Sequence, residues 1–189
     1  MRKVTYGGAI SLDGFLAGPG EALDWLRWSD DSAKLSAESF RGVDTMLMGR
    51  KTFEAGQRMG GGPVIKGART YVFSRTLEAL PERPDYELVR EDVADFVRRL
   101  KAEDGGGILV MGGGELGSAL IEARLVDEIG FSIHPVLLGD GAPAFLPFAE
   151  RVELELFEAR PIAGECVMVR YSVRNNETAD PARSDDANE

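Results

Sequence analysis

Apolar residues along this chain occur in short runs that alternate with stretches of helical spacing. Runs rich in branched and aromatic side chains, with glycine or polar residues at their ends, predict strands. They cover residues 3–12, 43–48, 70–73, 108–111 and 129–138. The spacing of Phe96, Val97 and Leu100 instead predicts a helix, with acids before it and basic residues near its end.

Helices are also predicted between the strands, and a hairpin at the end of the domain. The helices cover residues 29–40 and 115–123, and a further one starts at Gly49. Alternating residues from Val152 and over 167–173 predict two closing strands. The pattern predicts one α/β domain over residues 1–174, with a mostly parallel central sheet and an antiparallel C-terminal edge. Residues 175–189 lack an apolar anchor, which predicts a disordered acidic tail.

Composition narrows the possible partners. A formal net charge of −10 argues against nucleic acid or an anionic membrane as a partner. Cys166 and His134 are the single cysteine and the single histidine, so we expect no metal site. His134 lies in an apolar run and is interpreted as a structural histidine at a strand end. Without a long apolar run or a leader peptide in the sequence, we expect a cytoplasmic protein.

A glycine-rich segment between a predicted strand and a predicted helix satisfies the pattern G-x-G-x-x-G. It comprises Gly112, Gly113, Gly114, Glu115, Leu116 and Gly117. Absent side chains let the backbone approach a pyrophosphate, whose oxygens the amides at a helix N-terminus can bind. A tight turn that binds nothing is the alternative. A Rossmann domain requires an acid about twenty residues later to bind the adenosine ribose. Residues 135–138 contain no acid, which favours a different nucleotide-binding fold.

Two further strand ends carry residues suited to phosphate. The first comprises Gly49, Arg50, Lys51 and Thr52, and the second comprises Ser74 and Arg75. The positive end of a helix dipole disfavours cations in the first turn, so their presence is explained if an anion binds there. The planar donor fork of Arg75 suits a 2′-phosphate, which favours NADP over NAD. The alternative for the first segment is a pair of solvated basic side chains, and the alternative for the second is a polar turn at a strand end.

These segments resemble known nucleotide-dependent reductases. Residues 48–53 are similar to the cofactor-binding motif of dihydrofolate reductases, with Phe53 where that family often has tryptophan. Residues 112–145 and 11–14 resemble the reductase half of the riboflavin-biosynthesis deaminase/reductase. The resemblance implies a three-layer αβα dihydrofolate-reductase-like fold that binds NADPH. It also implies that Ala9, Leu16 and Ala17 lie near the nicotinamide and that residues 13–20 form a mobile lid.

The same resemblance suggests a proton donor. Dihydrofolate reductases carry a carboxylate five residues after a tryptophan, and Trp25 and Asp30 have that spacing. Asp30 is therefore the candidate catalytic residue, with Asp31 and Asp13 as rivals. Acids also suit the first turn of a helix without any ligand.

The resemblance implies a reductase that uses NADPH to transfer hydride to a small pterin-like or pyrimidine-like heterocycle. The specific alternatives are 5-amino-6-(5-phosphoribosylamino)uracil reductase and dihydrofolate reductase, and the sequence favours neither. Residues 54–66 lack the Asp-Pro-x-Leu-Thr-x-Arg-like segment with which riboflavin reductases hold a ribose phosphate. A non-catalytic NADP-binding protein is a further alternative. We also expect a homodimer, with residues 141–148 as a contact loop.

Overall fold

A sheet of eight strands organises the described part of the chain, which comprises residues 1–27, 40–60, 65 and 67–174. The structure is a computed structural model. Its strands are β1 (Val4–Ser11), β2 (Phe15–Ala17), β3 (Val43–Gly49), β4 (Arg69–Phe73), β5 (Tyr86–Val89), β6 (Gly107–Met111), β7 (Glu128–His134), β8 (Ala142–Pro143), β9 (Leu154–Ile162) and β10 (Cys166–Val173). The α-helices in these residues are α1 (Arg50–Arg58), α2 (Val93–Ala102) and α3 (Gly114–Glu122).

The large sheet is parallel except at one side. Its strand order is β5-β4-β3-β6-β1-β7-β10-β9, and each neighbouring pair from β5 to β7 is parallel. β10 runs antiparallel to β7, and β9 completes a hairpin with β10 at the edge. The predicted α/β class, with a mostly parallel sheet and an antiparallel C-terminal edge, is confirmed.

Helices pack on both faces of the sheet because its central strands carry apolar side chains on both sides. On one face, Leu47 packs in a cluster with Leu120 of α3, and α2 contributes to the same cluster. On the other face, Met46 packs with Leu109 and with Phe53 of α1. None of the helices in the described residues is long and apolar enough to cross a lipid bilayer.

The helices α1 and α2 begin in different ways. The side chain of Asp92 caps α2 by accepting hydrogen bonds from the backbone N–H groups of Ala94 and Asp95 at 2.9 and 3.1 Å. Helix α1 begins at Arg50 after the N-cap residue Gly49, with no side-chain cap and no acid in its first turn. The N-terminus of α1 is thus left open to another acceptor.

Some elements differ from the sequence expectations. The pattern predicts no strand at β5, where a short run of half-buried and exposed residues that ends in buried Val89 forms the sheet edge. β7 ends at His134 rather than at residue 138, because Pro135 has no N–H with which to extend the ladder. The expected lid over residues 13–20 contains β2 and most of a 3-10 turn, Pro19–Glu21.

Two predicted segments cannot be compared with the structure. The helix expected over residues 29–40 lies outside the described residues except for Phe40, and so does the tail expected over 175–189. These two expectations, and the domain boundary at residue 174, stay predictions.

The last glycine of the 112–117 segment is required by packing in the core. A Cβ on Gly117 would lie 2.3 Å from Cζ of Tyr6. Tyr6 is fully buried, and its hydroxyl donates a hydrogen bond to the carbonyl oxygen of Ala144 at 2.5 Å. Helix α3 can therefore pack this closely against β1 only where residue 117 has no side chain.

We expect Gly117→Ala to lower the free energy of unfolding by about 1–3 kcal/mol, because the added methyl group overpacks the core against Tyr6. Gly56→Ala in α1 is the matched control, since nothing lies within 4 Å of a Cβ there. That control should raise the free energy of unfolding by about 0.5–1 kcal/mol. Urea unfolding followed by circular dichroism measures both, and equal effects would contradict the packing role of Gly117.

Candidate functional site

The carboxyl ends of three neighbouring parallel strands lie at one edge of the sheet. Gly49 at the end of β3 is in register with Phe73 at the end of β4, and Leu47 is in register with Val110 of β6. The segments that follow these strands therefore leave the sheet side by side. They begin at Arg50, Ser74 and Gly112.

The glycine loop after β6 touches the first turn of α1. Gly112 and Gly113 have φ values of +57° and +70°, which glycine adopts without steric cost. A Cβ on Gly112 would lie 3.0 Å from Oγ1 of Thr52, and a Cβ on Gly113 would lie 3.9 Å from the same atom. Two of the predicted binding segments thus form one cradle, in which the missing side chains leave backbone exposed beside a hydroxyl.

Helices α1 and α3 both begin at this cradle, and neither has a side-chain cap. Their N-cap residues are Gly49 and Gly113. Open N–H groups and the positive ends of two helix dipoles suit an anion. In the first turn of α3, Glu115 is exposed, whereas the side chain of Leu116 packs in the core. Position 116 can therefore offer a ligand only its backbone.

The strand end at Ser74 is built as a compact turn. The Ser74 hydroxyl accepts hydrogen bonds from the N–H groups of Thr76 and Leu77 at 3.2 and 2.9 Å. These bonds fix the direction in which the chain leaves β4. Arg75 is exposed, and no described residue forms a hydrogen bond or ion pair with its side chain. Its guanidinium is available to a ligand at the edge where α1 begins.

The cations of α1 are engaged by nearby carboxylates. Nη1 of Arg50 donates hydrogen bonds to the two carboxylate oxygens of Glu54 at 2.9 and 3.0 Å. Nζ of Lys51 lies 3.8 Å from Oε1 of Glu21, in the 3-10 turn after β2. The Lys51 ammonium is mostly exposed and the distance is long, so this pair is weak.

A two-stranded ribbon extends from the end of β1 to the glycine loop. β2 pairs with β8, and the N–H of Ala144 donates to the carbonyl oxygen of Gly14 at 2.9 Å. The carbonyl oxygen of Pro143 lies 2.2 Å from where a Cβ of Gly114 would be. Gly114 is therefore needed for the contact between the ribbon and α3.

The three residues expected near a nicotinamide lie in β1 and in this ribbon. Ala9 is half-buried in β1, in register with Ser132 of β7. Leu16 packs against the main core cluster, and Ala17 is half-buried in β2. Their proximity to a cofactor ring stays a prediction.

Asp13 is held by Ser11 at the end of β1 and by the loop that follows β7. Its carboxylate accepts hydrogen bonds from the Ser11 hydroxyl at 2.6 Å and from the N–H groups of Leu138 and Gly139 at 3.0 and 2.8 Å. The Ser11 bond, supported by these loop amides, lowers the pKa of Asp13. A carboxylate stabilised in its ionised form is a poor proton donor, which weakens Asp13 as a rival. Asp30 and Asp31 lie outside the described residues.

Comparison with protein families connects this geometry to known proteins. The model of the RibD C-terminal domain matches residues 2–168. The chain belongs to this family. The protein named "Uncharacterized protein YyaP" from Bacillus subtilis (strain 168) is 29% identical over 182 residues, covering 90% of this chain and 95% of that protein.

Solved structures share the fold of this chain. A putative riboflavin biosynthesis protein from Shewanella sp. PV-4 has a TM-score of 0.77 and 23% identity, covering 93% of this chain and 100% of the other. Dihydrofolate reductase from Enterococcus faecalis, complexed with NADP(H) and RAB-propyl, has a TM-score of 0.66 and 17% identity, covering 92% and 97%. The resemblance to both groups is confirmed, and the fold is that of dihydrofolate reductase.

Some contacts within the chain carry no local sequence signal. Glu21 meets Lys51, and Pro143 meets Gly114, only because the ribbon folds back over the sheet edge. The expected dimer loop, residues 141–148, also packs within its own chain, where the N–H of Leu146 donates to the Ser118 hydroxyl at 2.8 Å. Dimerisation itself stays a prediction.

His134 connects the end of β7 to the segment that carries Trp25. It is 6% exposed, and its Nδ1 accepts a hydrogen bond from the N–H of Arg27 at 3.2 Å. The neutral ring therefore carries its proton on Nε2, 3.4 Å from the Ser132 hydroxyl. The ring of Trp25 packs edge to face on the imidazole, with centroids 5.3 Å apart. Burial, and then the charge of Arg27, lower the pKa of His134.

We expect the free energy of unfolding to fall as the pH is lowered from about 7.5 to about 5.5. The unfolded chain takes up a proton at the ordinary histidine pKa of about 6.5, whereas folded His134 resists it. The contribution of His134 to the free energy of unfolding is complete above the pKa of the unfolded state. It is lost as the pH falls toward the lower pKa of the folded state. Urea unfolding at several pH values measures this slope.

His134→Asn is the control for that measurement. Its amide oxygen can accept the bond from Arg27 and does not titrate, and the chain has no other histidine. The slope over this pH range should therefore be much smaller in the variant. Equal slopes in the two proteins would contradict the assignment.

Proposed function

We propose that this protein is an NADPH-dependent reductase that transfers hydride to a small pterin-like or pyrimidine-like heterocycle. The observation that carries the proposal is the convergence of three strand ends on one sheet edge, with Gly112 against Thr52 and two uncapped helix N-termini beside them. In open α/β sheets, ligands bind at the carboxyl ends of the strands. Membership of the RibD C-terminal domain family supports a reductase of the riboflavin-pathway type.

The cradle fits the pyrophosphate of a dinucleotide. Its walls are the backbone of Gly112 and Gly113 and the first turn of α1, where Thr52 supplies a hydroxyl. A side chain at position 112 would meet Thr52, so glycine at this position lets the loop and the first turn of α1 lie close together. Backbone N–H groups at a helix start favour phosphate oxygens.

A second feature favours NADPH over NADH. Arg75 is exposed without a described partner, and Ser74 holds the turn from which it projects. The five N–H donors of arginine match a phosphate group in a way that a ribose hydroxyl cannot repeat. Ser74 and Arg75 would accordingly hold the 2′-phosphate.

The protein's own part in the reaction is binding, exclusion of water and proton supply. When bound, NADPH supplies the hydride. The β2-β8 ribbon, held to the core through Leu16 and through the hydrogen bond from Tyr6 to Ala144, would shield the reacting ring from water. Asp30 would hold the substrate's N–H edge and promote protonation of the ring, as the family resemblance implies.

The family match favours a pyrimidine of the 5-amino-6-(5-phosphoribosylamino)uracil type over dihydrofolate. Residues 54–66 lack the segment with which riboflavin reductases hold a ribose phosphate. The proposed substrate class therefore includes related rings that do not carry that ribose phosphate. Oxidation of NADPH, followed at its absorbance band with both substrates, separates these cases. Tight NADPH binding without turnover on a panel of heterocycles would instead indicate a non-catalytic NADP-binding protein.

We expect the wild type to bind NADPH at least about tenfold more tightly than NADH, because one charge-assisted contact to a phosphate contributes about 1.5–3 kcal/mol. Arg75→Ala should weaken NADPH binding by about tenfold and change NADH binding little. Isothermal titration calorimetry at fixed ionic strength measures both.

Arg98→Ala is the matched control, since it removes the same charge from α2, where Arg98 pairs with Asp95 at 2.7 Å. It should leave both affinities unchanged. Equal affinity of the wild type for NADPH and NADH, or an equal loss in the two arginine variants, would contradict the assignment of the 2′-phosphate to Arg75.

We also propose that two copies of the chain associate through the outer strand β9. Leu156 and Phe157 of this strand are 54% and 49% exposed, and stable dimer interfaces are rich in such residues. Antiparallel pairing of β9 with its copy about Phe157 and Glu158 would place Glu155 opposite Arg160, so the charges are self-complementary.

We expect light scattering after size-exclusion chromatography to give twice the chain mass of 20.5 kDa. Leu156→Lys should shift the protein to the monomer, because it places a charge in the apolar interface. Leu12→Lys is the control. Leu12 is 65% exposed and directly follows β1, which is separated from β9 in the sheet by β7 and β10. A wild type that is monomeric at all concentrations would contradict the proposal.

A further inference from the structure

A carboxylate from the 3-10 turn after β2 lies along one side of α1. Oε2 of Glu21 lies 3.0 Å from Nη2 of Arg58, in the last turn of the helix. Oε1 of Glu21 lies 3.8 Å from Nζ of Lys51, in the first turn. Lys51 and Arg58 are seven residues apart and therefore lie on the same face of the helix. Glu21 is the group that connects the turn after β2 to both.

The backbone of Glu21 is in an unfavourable conformation. Its φ is +63°, in the left-handed region that non-glycine residues rarely adopt. Its N–H donates to the carbonyl oxygen of Gly18 at 3.1 Å, and the N–H of Gly18 donates to the carbonyl oxygen of Ala22 at 2.9 Å. These backbone bonds hold the turn in spite of the local strain, and the turn places Glu21 beside α1.

We propose that Glu21 is a positioning residue that competes with an anionic cofactor for Lys51 and thereby couples cofactor binding to release of the turn at residues 18–22. The inference rests on the proposed function, because it takes the first turn of α1 as part of the phosphate site. It adds a residue of the chain that lowers cofactor affinity.

The competition follows from charge. Lys51 sits at the positive end of the α1 dipole, where a cation is unfavourable, and Glu21 offsets that cost in the absence of ligand. A phosphate near Lys51 would repel the Glu21 carboxylate, and both of its ion pairs, with Lys51 and with Arg58, are solvent-exposed and weak enough to exchange. Binding and release of the turn are reciprocal, so a turn freed from α1 should also raise affinity for the anion.

Glu21→Gln tests this without changing shape or backbone strain, because the two side chains are nearly isosteric. Glu150→Gln is the matched control, since Glu150 is exposed and pairs with Arg124 at 2.9 Å, in the segment between β8 and β9. NADPH affinity is measured by calorimetry at low and high salt. We expect Glu21→Gln to bind NADPH about two- to fivefold more tightly than wild type at low salt, with a smaller difference at high salt. The control should bind like wild type.

Hydrogen exchange of the amides at residues 18–22 provides a second readout. NADPH should speed their exchange in the wild type, whereas in Glu21→Gln exchange should be fast already without NADPH. Weaker or unchanged NADPH binding by Glu21→Gln, or slower exchange on NADPH addition to the wild type, would overturn the role of Glu21. The proposed function would still stand in that case. Absence of NADPH binding by all three proteins would overturn the proposed function together with it.

Discussion

The parallel pairing of β4, β3 and β6 is the constraint on which the site depends. Because Gly49 is in register with Phe73 and Leu47 with Val110, the three strands end at one edge of the sheet. A shift of one strand by two residues would keep its core face and still separate the following segments by about 7 Å. Register therefore controls the distance between Thr52 and the glycine loop as well as the packing of the core.

The two ends of the sheet use charge differently. At the amino ends of the strands, buried Arg2 is paired with Asp44, and buried Lys101 donates to Asp127 at 2.5 Å. These pairs satisfy the cations that the fold buries there. At the carboxyl ends, Arg75 has no described partner. The first end thus stabilises the fold, and the second retains positive charge and backbone donors for a ligand.

Local periodicity was sufficient to predict much of the sheet and the segments of the cradle. Strands β3 and β6 are apolar runs followed by glycine and helical spacing, so their ends could be located in the sequence. Contacts between distant segments could not: Glu21 reaches α1 through a turn with a positive φ, and β8 is only two residues long. The glycine pattern was also ambiguous, because Gly117 serves the packing of Tyr6, whereas Gly112 lies at the cradle.

A crystal structure of the complex with NADPH would show whether the three strand ends bind the cofactor. We expect the pyrophosphate to lie between Thr52 and the backbone of Gly113, with the 2′-phosphate beside Arg75. The cavity of about 380 Å³ near Arg124 and Val173, at the amino ends of the parallel strands, provides the contrast. Cofactor density in that cavity, or phosphates away from the three strand ends, would contradict a cofactor site at this edge of the sheet.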